Sequence, residues 1–440
     1  MTAGMHRIEA KPIEEPDAIW AAARTSATSH LTKLDPAELS FLLGVLSCTR
    51  ETRTLNFPAD ADAALLWEYF DRHGIGGVLG ACTERVAGLP PGMAEAARHR
   101  YWSNCLQGEQ ARRRCAVLLE ASEREGLTVF FVKGPAIVEQ AYGDYGLRGF
   151  SDLDLFTASA EEARRLARVC GARAMIDSER QSIPCEVWDP GRLVAELDDW
   201  TVEMRFPVPG WHGPLFDLFP NGRLPELERT ASGLVVPRAE WHLLFLLQHL
   251  MIHHFFGRLV WLLDLAVLVG RHRTSLDWER VVRESKRMAM FEGLALAAGF
   301  CRDHVDPRFP EVASHGGQAW NRPFLRKLVD PSVIASTEWT TEWNTQLVSP
   351  LKRARSFLYE VAAFFLLTDA PATGRPWDGC GWQWTADRLG YALVRRWRGN
   401  WGRWLGRRLS MLAPWLVYPM ARLLAWIPTR RKSLRWITAN

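Results

Sequence analysis

The stretch Phe131 to Phe156 reads FVKGPAIVEQAYGDYGLRGFSDLDLF, and near its end Asp152 and Asp154 flank a single apolar residue. Side chains alternate along a β-strand, so these two carboxylates share one face while Leu153 and Leu155 take the other. A pair placed in this way can converge on one hard divalent cation, or on two. Burying two like charges side by side is costly unless a cation or an arginine compensates them. On a central strand the pair is therefore expected to face a charged partner. At an open strand end it is only two solvated aspartates, and the spacing alone does not choose between these readings.

The surroundings bear on that choice. Thr128–Val132 (TVFFV) is β-branched and aromatic, the composition of a short buried strand. Lys133-Gly134-Pro135 ends it, Ala136–Tyr142 reads as a short helix, Gly143–Gly149 as a loop, and Leu153–Phe156 lies in a second strand. A glycine after a strand lets the backbone approach phosphates, and the helix start behind it attracts anions. Lys133 and Arg148 add positive charge where a triphosphate would lie. The plainer readings are a solvated strand end for Lys133 and a neutralising partner of the aspartates for Arg148.

These residues need a scaffold. Ser159 is expected to cap a helix running to about Cys170, with Glu162 completing a capping box. Ile183–Trp188, Leu193–Leu197 and Trp200–Phe206 read as further strands, giving a small mixed sheet with helices against it, an α+β core over residues 126–237. Residues 1–125 read as helical: Asp35-Pro36 marks a start, Pro90-Pro91-Gly92 a break, and Met93–Glu125 one long helix or a helix pair. Residues 238–369 read as a helical bundle with segments Trp241–Phe256, Leu259–Val269, Trp278–Met288, Leu294–Val305 and Leu351–Leu367, and Pro331–Thr341 as a loop. Residues 370–440 form a linker, Ala370–Cys380, and a basic, tryptophan-rich tail.

Charge is spread unevenly along the 440 residues. The net charge is +4, yet no Asp or Glu follows Asp387 and Arg388–Arg435 holds twelve Arg and Lys, so residues 1–387 carry −8. The tail interleaves Arg with Trp over Arg395–Arg408, a mixture suited to nucleic acid or to an anionic membrane surface. Leu409–Ile427 is mostly apolar but contains Pro414, Pro419 and Arg422. Lying in a membrane interface suits it better than crossing, and a packed helix pair is the plainer expectation. The eight cysteines show no CxxC and no zinc spacing, as expected of free thiols in a reducing cytoplasm. Met1–Pro16 has no apolar run of the secretory kind, so the expected location is cytoplasmic, with peripheral membrane contact through the tail.

The order Lys133-Gly134, Arg148, Ser151-Asp152-Leu153-Asp154 continues in a set of downstream features. These are Val202-Glu203-Met204-Arg205, the apolar His-containing segment Trp241–His254, Arg258-Leu259-Val260-Trp261-Leu262-Leu263-Asp264, and Leu276-Asp277-Trp278. Over residues 35–305 this combination resembles the uncharacterised bacterial nucleotidyltransferase family of the DNA polymerase β-like superfamily. The resemblance implies a small mixed-sheet nucleotidyltransferase core flanked by N-terminal helices and a C-terminal helical bundle. It implies transfer of a nucleoside monophosphate from a nucleoside triphosphate to an acceptor, which is a protein, a peptide, a small molecule or RNA. Asp152, Asp154 and a third carboxylate would be the catalytic, metal-holding residues. Glu203 is the choice for the third, with Glu196, Asp198 and Asp199 as neighbouring competitors. Lys133, Gly134, Arg148 and Ser151 would lie at the nucleotide. Two Mg2+ ions are implied, one orienting the triphosphate and one activating the acceptor with help from Glu203. The chain has Lys133-Gly134 in place of the superfamily's usual Gly-Ser, and Arg205 where relatives often carry His.

Other candidates have plainer readings. His249, His253 and His254 sit on the apolar segment without a completing carboxylate, and are expected in inter-helix packing. Asp264 reads as a buried ion-pair partner for Arg258 or another arginine. His212 and Asp217 read as solvated loop residues. The rival to an enzyme is a catalytically degenerate accessory protein that binds a nucleotide or a partner, held at a membrane by its basic tail.

Overall fold

Asp35 opens the first helix, α1 (Pro36–Ser47). Its carboxylate accepts the N–H groups of Ala37 and Glu38 at 2.7 and 2.8 Å, while Glu38 accepts the Asp35 N–H at 2.9 Å. This reciprocal box satisfies helix-start donors that have no partner in the helix itself. The computed structural model describes residues 34–49, 54–177, 191–198, 200–207, 224–253, 256–288, 290–312 and 315. The expected strand Ile183–Trp188, the candidates Asp199, His212, Asp217 and His254, and the side chain of His253 lie outside the described residues. So do the Pro331–Thr341 loop, the Leu351–Leu367 helix, the linker and the basic tail.

Helices α2 (Ala63–Arg72) and α3 (Gly76–Cys82) follow, with a minimal parallel pair, β1 (Leu55–Asn56) and β2 (Val86–Ala87). Then comes α4 (Pro91–Glu125), one continuous helix of 35 residues and not a pair. At 1.5 Å per residue it spans roughly 50 Å. It stops at Gly126, whose φ of 65° is the left-handed conformation that ends helices cheaply.

The central sheet has five strands in the order β3 (Val129–Val132), β4 (Asp152–Thr157), β7 (Trp200–Arg205), β6 (Arg192–Leu197), β5 (Ala174–Asp177). β4 and β7 are parallel; the other three pairings are antiparallel, so the sheet is mixed. Between β3 and β4 the chain forms α5 (Gly134–Ile137), only four residues long, which widens into a π-type turn over Val138–Tyr142. The expected single helix is thus shorter and starts earlier. After β4, Ser159 caps α6 (Ala160–Val169), accepting the Glu162 N–H at 3.2 Å. Glu162 does not close the box: its carboxylate accepts the Thr128 N–H at 2.9 Å, tying α6 to the start of β3.

A hairpin of β8 (Leu227–Arg229) and β9 (Val235–Pro237) leads into α7 (Ala239–Gln248). The expected helix Trp241–Phe256 ends early in a π-type turn, His249–His253. α8 (Leu259–Arg271), α9 (Trp278–Arg287) and α10 (Phe291–His304) complete the described helices. None among the described residues is long and apolar enough to cross a membrane.

Two apolar cores result, one on each side of the sheet. Leu153, Leu155, Leu193, Ala195, Val202 and Met204 pack against Ala111, Cys115 and Leu118 of α4 and Ala163 and Leu166 of α6. On the other face, Phe130, Val132 and Phe156 join the core of α1–α3 and α7–α10. Phe156 stacks on Phe130 at 5.2 Å and meets Phe245 of α7 at 4.9 Å.

Candidate active site

The face that begins with Phe130 and Phe156 turns polar along the same strands. Asp154 pairs in register with Val132 on one side and Glu203 on the other, and Asp152 pairs with Thr201. Neighbours in register share a face, so the Asp154 and Glu203 carboxylates stand side by side on parallel strands, with Asp152 one pleat away. Leu153 and Leu155 are fully buried in the opposite core, as the alternation requires.

Asp154 is 5% exposed. Lys133 Nζ lies 2.5 Å from its Oδ1, a buried ion pair that supplies this oxygen's counter-charge. Burial pushes the Asp154 carboxyl up to about 6; Lys133 offsets this in part, while Glu203 and Asp152 add repulsion. Asp152 is half-buried and makes no ion pair among the described residues. Glu203 is engaged on both oxygens, by Arg205 Nε at 2.7 Å and by an Arg192 terminal nitrogen at 2.9 Å. Burial works against its charge, but Arg205, Lys133 and Arg192 outweigh it and hold the carboxyl at about 2.

The turn that carries Lys133 is built from a distance. Lys133 has φ 56°, a left-handed value that a residue with a side chain adopts at a cost of about 1 kcal/mol or more, and Gly134 follows at φ 38°. A Cβ on Gly134 would meet only ordinary contacts, so the conformation and not the space calls for glycine. The Lys133 N–H donates to His242 Nε2 at 3.3 Å. Nδ1 of the same ring lies 2.5 Å from Gln140 Oε1, and Gln140 Nε2 donates to Glu228 at 2.7 Å and to the Pro237 carbonyl at 2.8 Å. With Nε2 accepting, Nδ1 carries the proton and the ring is neutral. Burial, with His272 nearby, brings its pKa down to about 3.

The expected phosphate side is arranged differently from the sequence reading. Arg148 is buried in a pair with Asp264, through Nε at 3.0 Å and a terminal nitrogen at 3.1 Å, and Tyr142 donates to the same carboxylate at 2.8 Å. It clamps the loop before β4 onto α8 instead of opening toward a triphosphate. Asp264 is the arginine partner expected, with Arg148 as the arginine. α5 is too short to present much dipole to an anion. Ser151 is exposed. Among the competitors of Glu203, Glu196 is exposed on β6 and Asp198 pairs with Arg114 and Arg173 in the turn after it. His249 packs edge-on against Trp261 at 5.7 Å.

The structure thus brings Asp152, Asp154, Glu203, Lys133 and Gly134 together and sets Arg148 in the scaffold. Sequence reasoning missed His242, Gln140 and Arg192. The only signal was a histidine inside an apolar segment, and the three weighed there were the wrong neighbours. The carboxylate oxygens of Asp152 and Asp154, two residues apart on one face of β4, are the hard donors that suit a cation such as magnesium. Among the described residues no three His, Cys, Asp or Glu side chains converge as ligands, so as packed the fit is to the aspartate pair, with Glu203 held by its arginines. A family model described as an uncharacterised nucleotidyltransferase matches residues 59–306. No curated protein and no solved structure matches the chain.

Proposed function

The chain belongs to this nucleotidyltransferase family, and from that premise we propose that it moves a nucleoside monophosphate from a nucleoside triphosphate to an acceptor, using the carboxylate face of β4 and β7. One observation supports the reading above the others: the parallel register that sets Glu203 beside Asp154, one pleat from Asp152. Magnesium on the aspartate pair would supply charge stabilisation for the transferred phosphoryl group. The chain's own residues divide the remaining work. Asp152 and Asp154 offer the oxygen donors. Lys133, on its pinned turn, brings an ammonium to the edge of the pair. Glu203 is engaged on both oxygens by Arg205 and Arg192. Its part is that of an anion that gathers and aims Arg192 and Arg205.

A second reading has its own support. Lys133, Arg192 and Arg205 already neutralise Asp154 and Glu203, which suits a member that binds a nucleotide without turning it over. Incubation with each labelled nucleoside triphosphate, magnesium and cell extract as the source of acceptor separates the two. Transfer by the wild type, lost in the double change Asp152→Ala and Asp154→Ala, is the expected result. Transfer that survives the double change removes the site, and nucleotide binding without transfer establishes the second reading.

A further inference from the structure

We propose that Lys133 is the resident counter-charge of the aspartate pair: its ammonium occupies the place beside Asp154 that a divalent cation takes, and cation binding releases it to meet phosphate. The inference rests on the reading that Asp152 and Asp154 hold a cation, and it assigns Lys133 a role that precedes nucleotide binding. Nζ is 2.5 Å from Asp154 Oδ1, a buried ion pair, and the two side chains are 16% and 6% exposed. Magnesium binds carboxylate oxygen at about 2 Å, so an ammonium and the metal at one buried oxygen would repel each other at close quarters. One of them must leave.

The main chain of Lys133 has little freedom to follow. It is held at φ 56° by the His242 acceptor and by Gly134 behind it. The flexible four-carbon stem is therefore the part that swings. The other cations near the carboxylates have partners that a metal on the aspartate pair leaves in place: Arg148 stays with Asp264, and Arg192 and Arg205 stay with Glu203. Lys133 alone of these four loses its carboxylate to the incoming ion, and a phosphate oxygen is the group that replaces it.

The test reads Lys133 directly in the full chain, by acetylation with an N-hydroxysuccinimide ester and mass spectrometry of its peptide. Labelling is expected to rise severalfold on addition of Mn2+ alone and to fall again when inorganic tripolyphosphate is added with Mn2+ still in excess. In parallel, calorimetric titration with Mn2+ should show binding about tenfold tighter in Lys133→Met than in the wild type, the effect of removing one like charge from the site, and none in Asp154→Asn. The labelling arm needs no variant, so it decides the matter even if Lys133→Met does not fold. Asp154-dependent Mn2+ binding with flat Lys133 labelling, or with unchanged affinity in Lys133→Met, overturns the inference and leaves the proposed cation site standing. Absence of Asp154-dependent binding in the wild type and in Lys133→Met removes both.

Discussion

On the side of the sheet turned toward α4 and α6, β4 and β7 present Leu153, Leu155, Val202 and Met204, all apolar and fully buried. On the reverse side, alternate residues of the same strands run from Phe156 to Asp154 and Asp152, and from Arg205 to Glu203 and Thr201. One period-two alternation builds both surfaces, yet their energetics are opposed. Each leucine of the floor contributes about 2 kcal/mol by burial, whereas each buried carboxylate is a liability until a cation meets it. The floor holds the strands in register, and register is what sets Glu203 beside Asp154. The stability of one face thus sustains an arrangement on the other that would not be stable by itself.

The sharpest test uses two adjacent residues that face opposite ways. Asp154→Asn is expected to reduce nucleotidyl transfer by roughly 10³-fold, the scale on which one preorganised charged group acts, while the protein stays folded by circular dichroism. Leu155→Ala should do the reverse. It should lower unfolding stability by about 3 kcal/mol in urea titrations and leave the transfer rate near that of the wild type wherever the protein is folded. A Leu155→Ala variant that loses transfer without losing stability would break the division between the faces.

His242, which holds the Lys133 turn, predicts a smaller, pH-dependent effect. Its folded pKa of about 3 lies below the ordinary value of 6.5, so the unfolded chain takes up the proton first. Its contribution to stability is complete above about pH 6.5 and is lost as the pH falls toward 3. At pH 5 the loss is about 2 kcal/mol. Comparison of urea midpoints at pH 7.5 and 5 should therefore show a steeper acid loss in the wild type than in His242→Gln; equal slopes would mean the imidazole is charged or solvated in the fold. The smallest effect on stability belongs to Asp152, which is half-buried and without an ion pair among the described residues. Asp152→Asn should change stability by less than about 0.5 kcal/mol while reducing transfer as severely as Asp154→Asn. A loss of several kcal/mol would show that Asp152 is a scaffold residue.

What could be read ahead of the coordinates was what strand and helix geometry make local. The alternation around Leu153 and Leu155, the Asp35 cap and the run Val129–Val132 all depend on residues within one turn or one strand. Glu203 was reachable because Val202 and Met204 repeat the pattern of Leu153 and Leu155. The rest depends on contacts between distant parts of the chain. Arg148 meets Asp264 across 116 residues, and the Lys133 amide meets His242 across 109. No spacing rule encodes either contact. An arginine beside an aspartate pair looks the same in sequence whether it turns toward a nucleotide or away from it. The Glu162 capping box differs for a related reason: its carboxylate accepts a tertiary donor, the Thr128 amide, and the Ala158 N–H in place of the Ser159 N–H.

The bond between His242 and residue 133 is made to the main chain, not to a side chain. The hydrogen bond therefore does not select the amino acid at position 133, apart from excluding proline, which has no amide hydrogen to offer, while the positive φ there favours glycine and unbranched side chains over β-branched ones. The charge presented to the carboxylates can change by mutation while the geometry of the loop stays as it is. Evolution, or a protein engineer, can retune the reactivity of this centre by exchanging one side chain without rebuilding its frame.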